Sequence, residues 1–278
     1  EGRPHRRHPR HRRQVSRRRR TLAAPVEVAG VGVHTGAAAT VRLTPSSFGE
    51  GLTWSRDDGP HHPVNLDHAR AVPGATELVG PDGSTVSTPE HVLAALTGLG
   101  VSDTHISVRG PELPVLDGAA AAWVRAIRGA GLAEGPTRVA RSVEPLDLSA
   151  HGGRVVVTPG EPVRVVHVDF GPGGPRGTAQ WTDGEPFDEV AWARTFVLAH
   201  QVEALQAMGR GRGATAQNTL VWGDQPVARP DEPVVHKLLD LVGDLALVGP
   251  LAARVEVWRG SHQLHHAAMR ALRYRQPG

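Results

Sequence analysis

The chain of 278 residues contains no cysteine, so disulfides and thiolate metal ligands are excluded, and any zinc must be held by histidine and carboxylate. Lysine occurs once, at Lys237, and aromatic residues make up only 4% of the chain. No apolar run approaches the length of a membrane span. No apolar core follows the arginine-rich start, which argues against a cleaved secretory signal. A cytoplasmic protein is expected. The glycine-rich stretch Gly30-Val31-Gly32-Val33-His34-Thr35-Gly36 has the wrong spacing and element order for a dinucleotide fingerprint, so a nucleotide-binding Rossmann unit is not expected; its glycines suit a tight turn.

The formal charge of +3 conceals two unlike regions. Residues 1–20 hold ten arginines and one glutamate, whereas the rest of the chain carries 21 basic and 27 acidic side chains and is mildly acidic. With almost nothing apolar to bury, the tail Glu1 to Arg20 is expected to be disordered. Such a tail suits contact with nucleic acid or an anionic membrane through phosphate neutralisation; the plainer reading is a solubilising extension. After it, the pattern predicts an α+β domain over 21–132, a linker over 133–139 and a second α+β domain over 140–278.

Glu232 to Gly249 reads as a helix that is apolar on nearly every side except for a stripe of His236, Asp240 and Asp244, spaced four apart. Buried imidazoles and carboxylates are costly unless paired, hydrogen-bonded or metal-bound, so the stripe should face a polar cavity or an ion. An ordinary His–Asp ion pair is the bland alternative. Another helix is expected from Ser87-Thr88-Pro89-Glu90-His91, with Thr88 as cap, Pro89 at the first position and Gly98 to Gly100 as the stop. Strands are expected at Thr104 to Arg109 and Ala253 to Trp258, and helices at Ala119 to Gly129, Phe196 to Met208 and Ser261 to Leu272. The two halves repeat an order of polar-headed helix, strand and helix, and their strands end alike in Val108-Arg109-Gly110 and Trp258-Arg259-Gly260. Two similar two-layer sandwiches packed face to face follow, with Glu90 and His91 opposite His236 and Asp240.

His91, His236 and Asp240 make up the two-imidazole, one-carboxylate set of a catalytic zinc, with a position left for water. Hydrolysis of an amide or ester is the favoured chemistry. Glu90 is the candidate base, its alternative being a first-turn glutamate that favours the helix dipole. His262 is the candidate acid with Asp244 as its partner, its alternative being a surface histidine in a segment that also holds His265 and His266.

With these residues in order, the chain from about Thr21 to Tyr274 resembles the UDP-3-O-acyl-N-acetylglucosamine deacetylases, zinc amidases that commit a sugar nucleotide to lipid A synthesis in Gram-negative bacteria. The resemblance rests on Gly30 to Gly36, Ser87 to His91, Leu116-Asp117-Gly118, Ala193-Arg194-Thr195-Phe196, His236 to Asp240 with Gly243-Asp244-Leu245, and Ser261-His262-Gln263-Leu264. It implies His91, His236 and Asp240 as ligands of zinc, with iron(II) as the alternative metal. It further implies Glu90 as base, His262 as acid and Asp244 as its partner. Thr195 matches the hydroxyl that stabilises an oxyanion, Lys237 a cation near the substrate's polar groups, and Phe196 an apolar contact for the sugar. The substrate implied is a UDP-sugar with an acyl chain, and the expected state is a monomer. Three departures stand out. Ser261 precedes the acid, and His265 occupies a place where relatives carry Asn. Asp117-Gly118 is followed by Ala119 rather than Ser. Arg210 and Arg212 sit in an insertion that in relatives forms an apolar passage, which points to altered acyl recognition. Two competing expectations are a zinc amidohydrolase for another N-acetylated sugar or amide, and a scaffold tethered by its tail.

Overall fold

The computed structural model describes residues 15–224 and 227–275. It opens with β1 (Ser16–Leu22), β2 (Val26–Val31), β3 (Ala38–Pro45), β4 (Leu52–Arg56) and β5 (His62–Pro63). A small antiparallel sheet of β6 (Ala69–Val72), β7 (Ala75–Val79) and β8 (Thr85–Ser87) follows. Then come helix α1 (Glu90–Gly98), β9 (Thr104–Arg109), helix α2 (Ala121–Ala130) and β10 (Leu132–Val139). The second half runs through β11 (Leu146–Ala150), β12 (Gly153–Pro159), β13 (Val163–Asp169), β14 (Arg176–Thr182), α3 (Asp188–Ala191), β15 (Thr195–Leu198), α4 (Val202–Ala207) and β16 (Thr219–Trp222). It ends with α5 (Glu232–Leu245), β17 (Ala253–Trp258) and α6 (His262–Ala271).

The main sheets have orders β2-β3-β9-β4-β5 and β11-β12-β17-β13-β14, which is one topology used twice. In each, the last strand in sequence enters the middle, antiparallel to one neighbour and parallel to the other. Period-two burial explains why it is central. Thr104, Ile106 and Val108 of β9 are buried, as are Ala253, Val255 and Val257 of β17, with less buried residues between them. Helices α5 and α6 cover the second sheet, α2 packs on β2 of the first, and α1 packs on both α2 and α5. The fold is therefore α+β, with two similar halves meeting through their helices.

The α1–α5 contact is very close. A Cβ on Gly243 would lie 2.1 Å from the carbonyl oxygen of Glu90, so only glycine lets the two backbones meet there. Around it Leu238, Leu239, Leu241 and Val242 of α5 are at most 1% exposed. Each contributes about 1.5–3 kcal/mol on burial.

Several expectations need correction. Residues 16–20 are not a loose tail: β1 pairs antiparallel with β10, so the stretch 133–139 is a strand rather than a linker. Arginine-rich β1 lacks an apolar alternation, but its backbone is paired, Arg19 reaches Asp103 at 2.9 Å and Arg20 reaches Glu134 at 2.8 Å. The expectation of disorder over residues 1–14 lies outside the described residues. The helix expected over 196–208 is α only at Val202–Ala207. The run Thr195-Phe196-Val197-Leu198 is β-branched and aromatic and pairs in parallel with β16. Thr88 does not cap α1. It sits at φ 61 and gives its hydroxyl to Glu112 at 3.1 Å.

Candidate metal and catalytic site

The first turn of α1 and the middle turns of α5 face one another across the Gly243 contact, which brings Glu90 and His91 to the stripe on α5. Candidate ligand atoms of His91, His236 and Asp240 lie within 4.8 Å of one another, and all three residues are buried. His236 Nε2 is 3.4 Å from Asp240 Oδ1. A tetrahedral ion with bonds of about 2.0–2.1 Å sets its ligands about 3.4 Å apart, so this spacing fits zinc.

The donor set is also in the right state for a cation. Burial, aided by His236 alongside, pushes His91 down to about 3. Burial likewise pushes His236 down, leaving both rings neutral at pH 7. His236 Nδ1 lies 3.0 Å from the carbonyl oxygen of Ala193; as the donor there it leaves the Nε2 lone pair facing the cluster. Asp240 is held below the usual carboxylate range: burial opposes this, but the charge of Lys237, with the neighbouring imidazoles adding to it, outweighs it. Lys237 Nζ donates to Asp240 Oδ2 at 2.8 Å. The lone lysine therefore grips the second oxygen of a candidate ligand.

Beside this cluster, Asp244 is 0% exposed yet is served by three groups. His262 Nδ1 and His265 Nδ1 each lie 2.7 Å from its Oδ2, and the Thr76 hydroxyl donates to Oδ1 at 2.7 Å. Burial works against charge on Asp244, but the cationic His262 and these hydrogen bonds hold its pKa well below normal. Burial also works against a charged His262, and Asp244 with Glu90 overcomes it, raising His262 to about 9. Burial, with Asp244 and Asp240 adding repulsion, pushes Glu90 up to about 8 against the opposing pull of His262. Glu90 Oε1 and His262 Nε2 are 3.8 Å apart. A carboxyl and an imidazole of raised basicity thus flank the same small volume, an arrangement suited to passing protons.

The structure brings Glu90, His91, His236, Lys237, Asp240, Asp244 and His262 together. Thr195 and Phe196 stand on β15 rather than a helix. The Thr195 N–H donates to the carbonyl of Gly118 at 2.7 Å, and the Phe196 ring is edge-on to His236 at 6.1 Å between centroids. A Cβ on Gly118 would fall 1.7 Å from the carbonyl oxygen of Asn218, so the Asp117-Gly118 turn needs its glycine to seat this segment. The Gly30–Gly36 turn is held by buried Glu112, which accepts from the N–H groups of His34 and Thr35 at 3.0 and 2.8 Å, from the Thr35 hydroxyl at 2.7 Å and from Thr88. Glu112 therefore ties that turn to the residues leading into Glu90 and His91. The arginine-bearing insertion docks on the same turn: Arg212 and Gly213 donate to the carbonyls of His34 and Val33 at 3.2 and 3.1 Å.

Sequence reasoning missed Thr76, His265, His266 and Glu112. His262 is buried rather than at the surface, and His265 and His266 are buried with it. Their spacing from His262, three and four residues along α6, puts them on its face and was the available signal. Thr76 lies on a short strand and carried none.

Residues 19–274 match the family model described as "UDP-3-O-acyl N-acetylglycosamine deacetylase". A protein of Synechocystis sp. named UDP-3-O-acyl-N-acetylglucosamine deacetylase is 38% identical over 264 residues, covering 88% of this chain and 95% of that protein. One of the same name from Thermosynechococcus vestitus is 38% identical over 273 residues, covering 93% and 95%. Another from Phenylobacterium zucineum is 38% identical, covering 91% and 92%.

Proposed function

The chain belongs to the UDP-3-O-acyl N-acetylglycosamine deacetylase family, and from that premise we propose that it is a zinc-dependent hydrolase removing the acetyl group from UDP-3-O-acyl-N-acetylglucosamine. The reaction releases acetate and a free glucosamine amine, and its place is the committed step of lipid A biosynthesis in the cytoplasm. The observation that carries the reading is the meeting of His91, His236 and Asp240 within 4.8 Å. These three would hold the metal. A zinc ion there would polarise the amide carbonyl and make water acidic enough to attack near neutral pH.

The remaining steps fall to the chain's own side chains. Glu90, beside the ligand set, takes the proton from the attacking water at its Oε1 in its ionised form, which a bound cation would favour. Thr195 offers a hydroxyl to the oxygen on which negative charge develops; a positioned donor of this kind contributes about 2.7–4 kcal/mol. His262 then gives a proton from Nε2 to the leaving amine nitrogen, with Asp244 on Nδ1 fixing the ring and favouring its charged form. Lys237 and Phe196 are the proposed contacts for the polar groups and sugar of the substrate, and the active species is a monomer.

A second reading keeps the chemistry on a different N-acetylated sugar or amide. It is favoured by Arg210 and Arg212, whose segment docks beside the site on the turn at His34. One assay addresses both readings: turnover of acylated and unacylated UDP-N-acetylglucosamine, with chelator and then with zinc restored. The proposal expects chelator to stop the reaction, zinc to restore it, and the acylated nucleotide to be strongly preferred. Full activity in metal-depleted protein would sink the mechanism, and equal turnover of the two nucleotides would favour the second reading. Asp240→Ala is expected to lose both bound zinc and turnover, measured by metal analysis and the same assay.

A further inference from the structure

A cavity of about 810 Å³ opens where α1 and α5 end, beyond Thr97 and Gly100 on one side and Val248 and Gly249 on the other. The candidate ligands lie instead in the first turn of α1 and the middle of α5. The wall includes β1, the end of β10 and the end of α6, so both domains contribute. Seven arginines line it against two carboxylates, Asp67 and Asp183. The chain beyond residue 20 is net acidic, so this concentration of positive charge is local.

Four of the seven have partners. Arg18 lies 3.7 Å from Glu134, Arg19 is paired with Asp103, Arg164 with Asp183 at 2.8 Å, and Arg270 with the carbonyls of Leu66 and Ala69. Arg17, Arg138 and Arg141 form no ion pair with a carboxylate among the described residues. Arg141 stacks over the ring of Tyr274 at 5.0 Å, which holds its guanidinium in place without neutralising it. Burial pushes the Arg138 guanidinium below its ordinary pKa, and the charges of Arg19, Arg141 and Arg17 add to this against the pull of Asp103. Arg138 thus feels the charges of both Arg17 and Arg141 in a partly desolvated space. Asp103 and Asp183 pull against that repulsion, and a bound anion would offset it further.

We propose that this cavity is a binding site for a small multivalent phosphate anion of the oligophosphate class, held by the forked guanidiniums of Arg17, Arg138 and Arg141. Guanidinium forks match phosphate oxygens in pairs, and the volume falls within the roughly 300–1,000 Å³ of small-ligand sites. Its concave walls, drawn from two domains, suit a compact anion better than a duplex nucleic acid.

The test is calorimetric titration of the full, zinc-loaded chain with trimetaphosphate in about 0.15 M salt, where diffuse surface attraction is screened. Saturable binding of one equivalent is expected. R138Q/R141Q should weaken it at least about tenfold while keeping deacetylase turnover, R138K/R141K should weaken it less, and Arg259→Gln should leave it unchanged. If the double variant does not fold, the wild-type melting temperature decides: trimetaphosphate should raise it and chloride at matched ionic strength should not. No saturable binding, unchanged affinity in R138Q/R141Q, or capture of an RNA oligonucleotide with none of trimetaphosphate would each overturn the proposal.

Discussion

The two domains share a topology but divide the labour unequally. In the first, the helix after the central strand is α2, whose inward residues Trp123, Val124 and Ile127 are apolar. In the second, the equivalent helix is α6, which presents His262 and His265 to Asp244 and His266 to the Thr76 hydroxyl. The helices before the central strands differ as well: α1 gives two polar residues in its first turn, whereas α5 gives a polar residue on each of three successive turns. One half therefore gives the site Glu90, His91 and Thr76 from a mainly apolar pair of helices and a short strand, and the other supplies most of the site's ionisable groups. A duplicated fold can be held together by the first kind of helix and take its chemistry from the second.

If that division is right, substitutions in the two halves should fail in different currencies. The largest effect is expected at the first half's own ionisable contribution to the site. Glu90→Gln should lower kcat by about 10²–10⁴ while zinc content stays at the wild-type level. A loss of zinc in that variant would instead make Glu90 part of the ligand shell. Trp123→Ala, on α2, should cost about 3–5 kcal/mol of stability in denaturant titration. At temperatures where it is folded its kcat should stay near wild type; a large drop would mean the frame tunes the chemistry directly. Asp244→Asn should reduce turnover by roughly 10–100-fold, as loss of a positioning partner does. It should also move the alkaline limb of the pH profile. His262 is raised to about 9, so its charged form and the activity it supports persist below that value and fall as pH rises through it. Without the aspartate charge burial prevails, and the limb should shift to lower pH; a limb that stays in place would remove His262 as the acid. The smallest effect is expected at Arg20→Ala in β1. Its half-exposed ion pair with Glu134 should contribute less than about 1 kcal/mol, seen as a small change in melting temperature.

Much of the frame was legible because its signals are local. The central strands at 104–109 and 253–258 alternate in burial as their sequences alternate in polarity, and α5 announces itself by an apolar surround with a four-residue stripe. What escaped depended on partners far along the chain. β1 and β10 owe their pairing to one another, with Arg19 reaching Asp103 and Arg20 reaching Glu134, and neither the arginine run nor Leu132 to Val139 shows that pairing by itself. β15 has strand-forming residues, but its partner β16 lies beyond the insertion, and the helical pattern of residues 202–207 masked it. At the site, the stripe on α5 and the turn before α1 were readable. The sharing of Asp244 among Thr76, His262 and His265 was not, because it joins a short strand to a helix 186 residues away at the nearest pair, Thr76 and His262.

The pairing of β1 with β10 also sets an order of assembly. During synthesis β1 has no strand partner until residue 139 has emerged, at which point the first domain can close on itself. α1 then waits for α5, roughly 100 residues later, which at ordinary elongation rates is on the order of 5–20 s. Through that interval Glu90 and His91 are complete in sequence but face no metal partner. The nascent first half can be folded and still inert, and the site comes into being only when the second half docks.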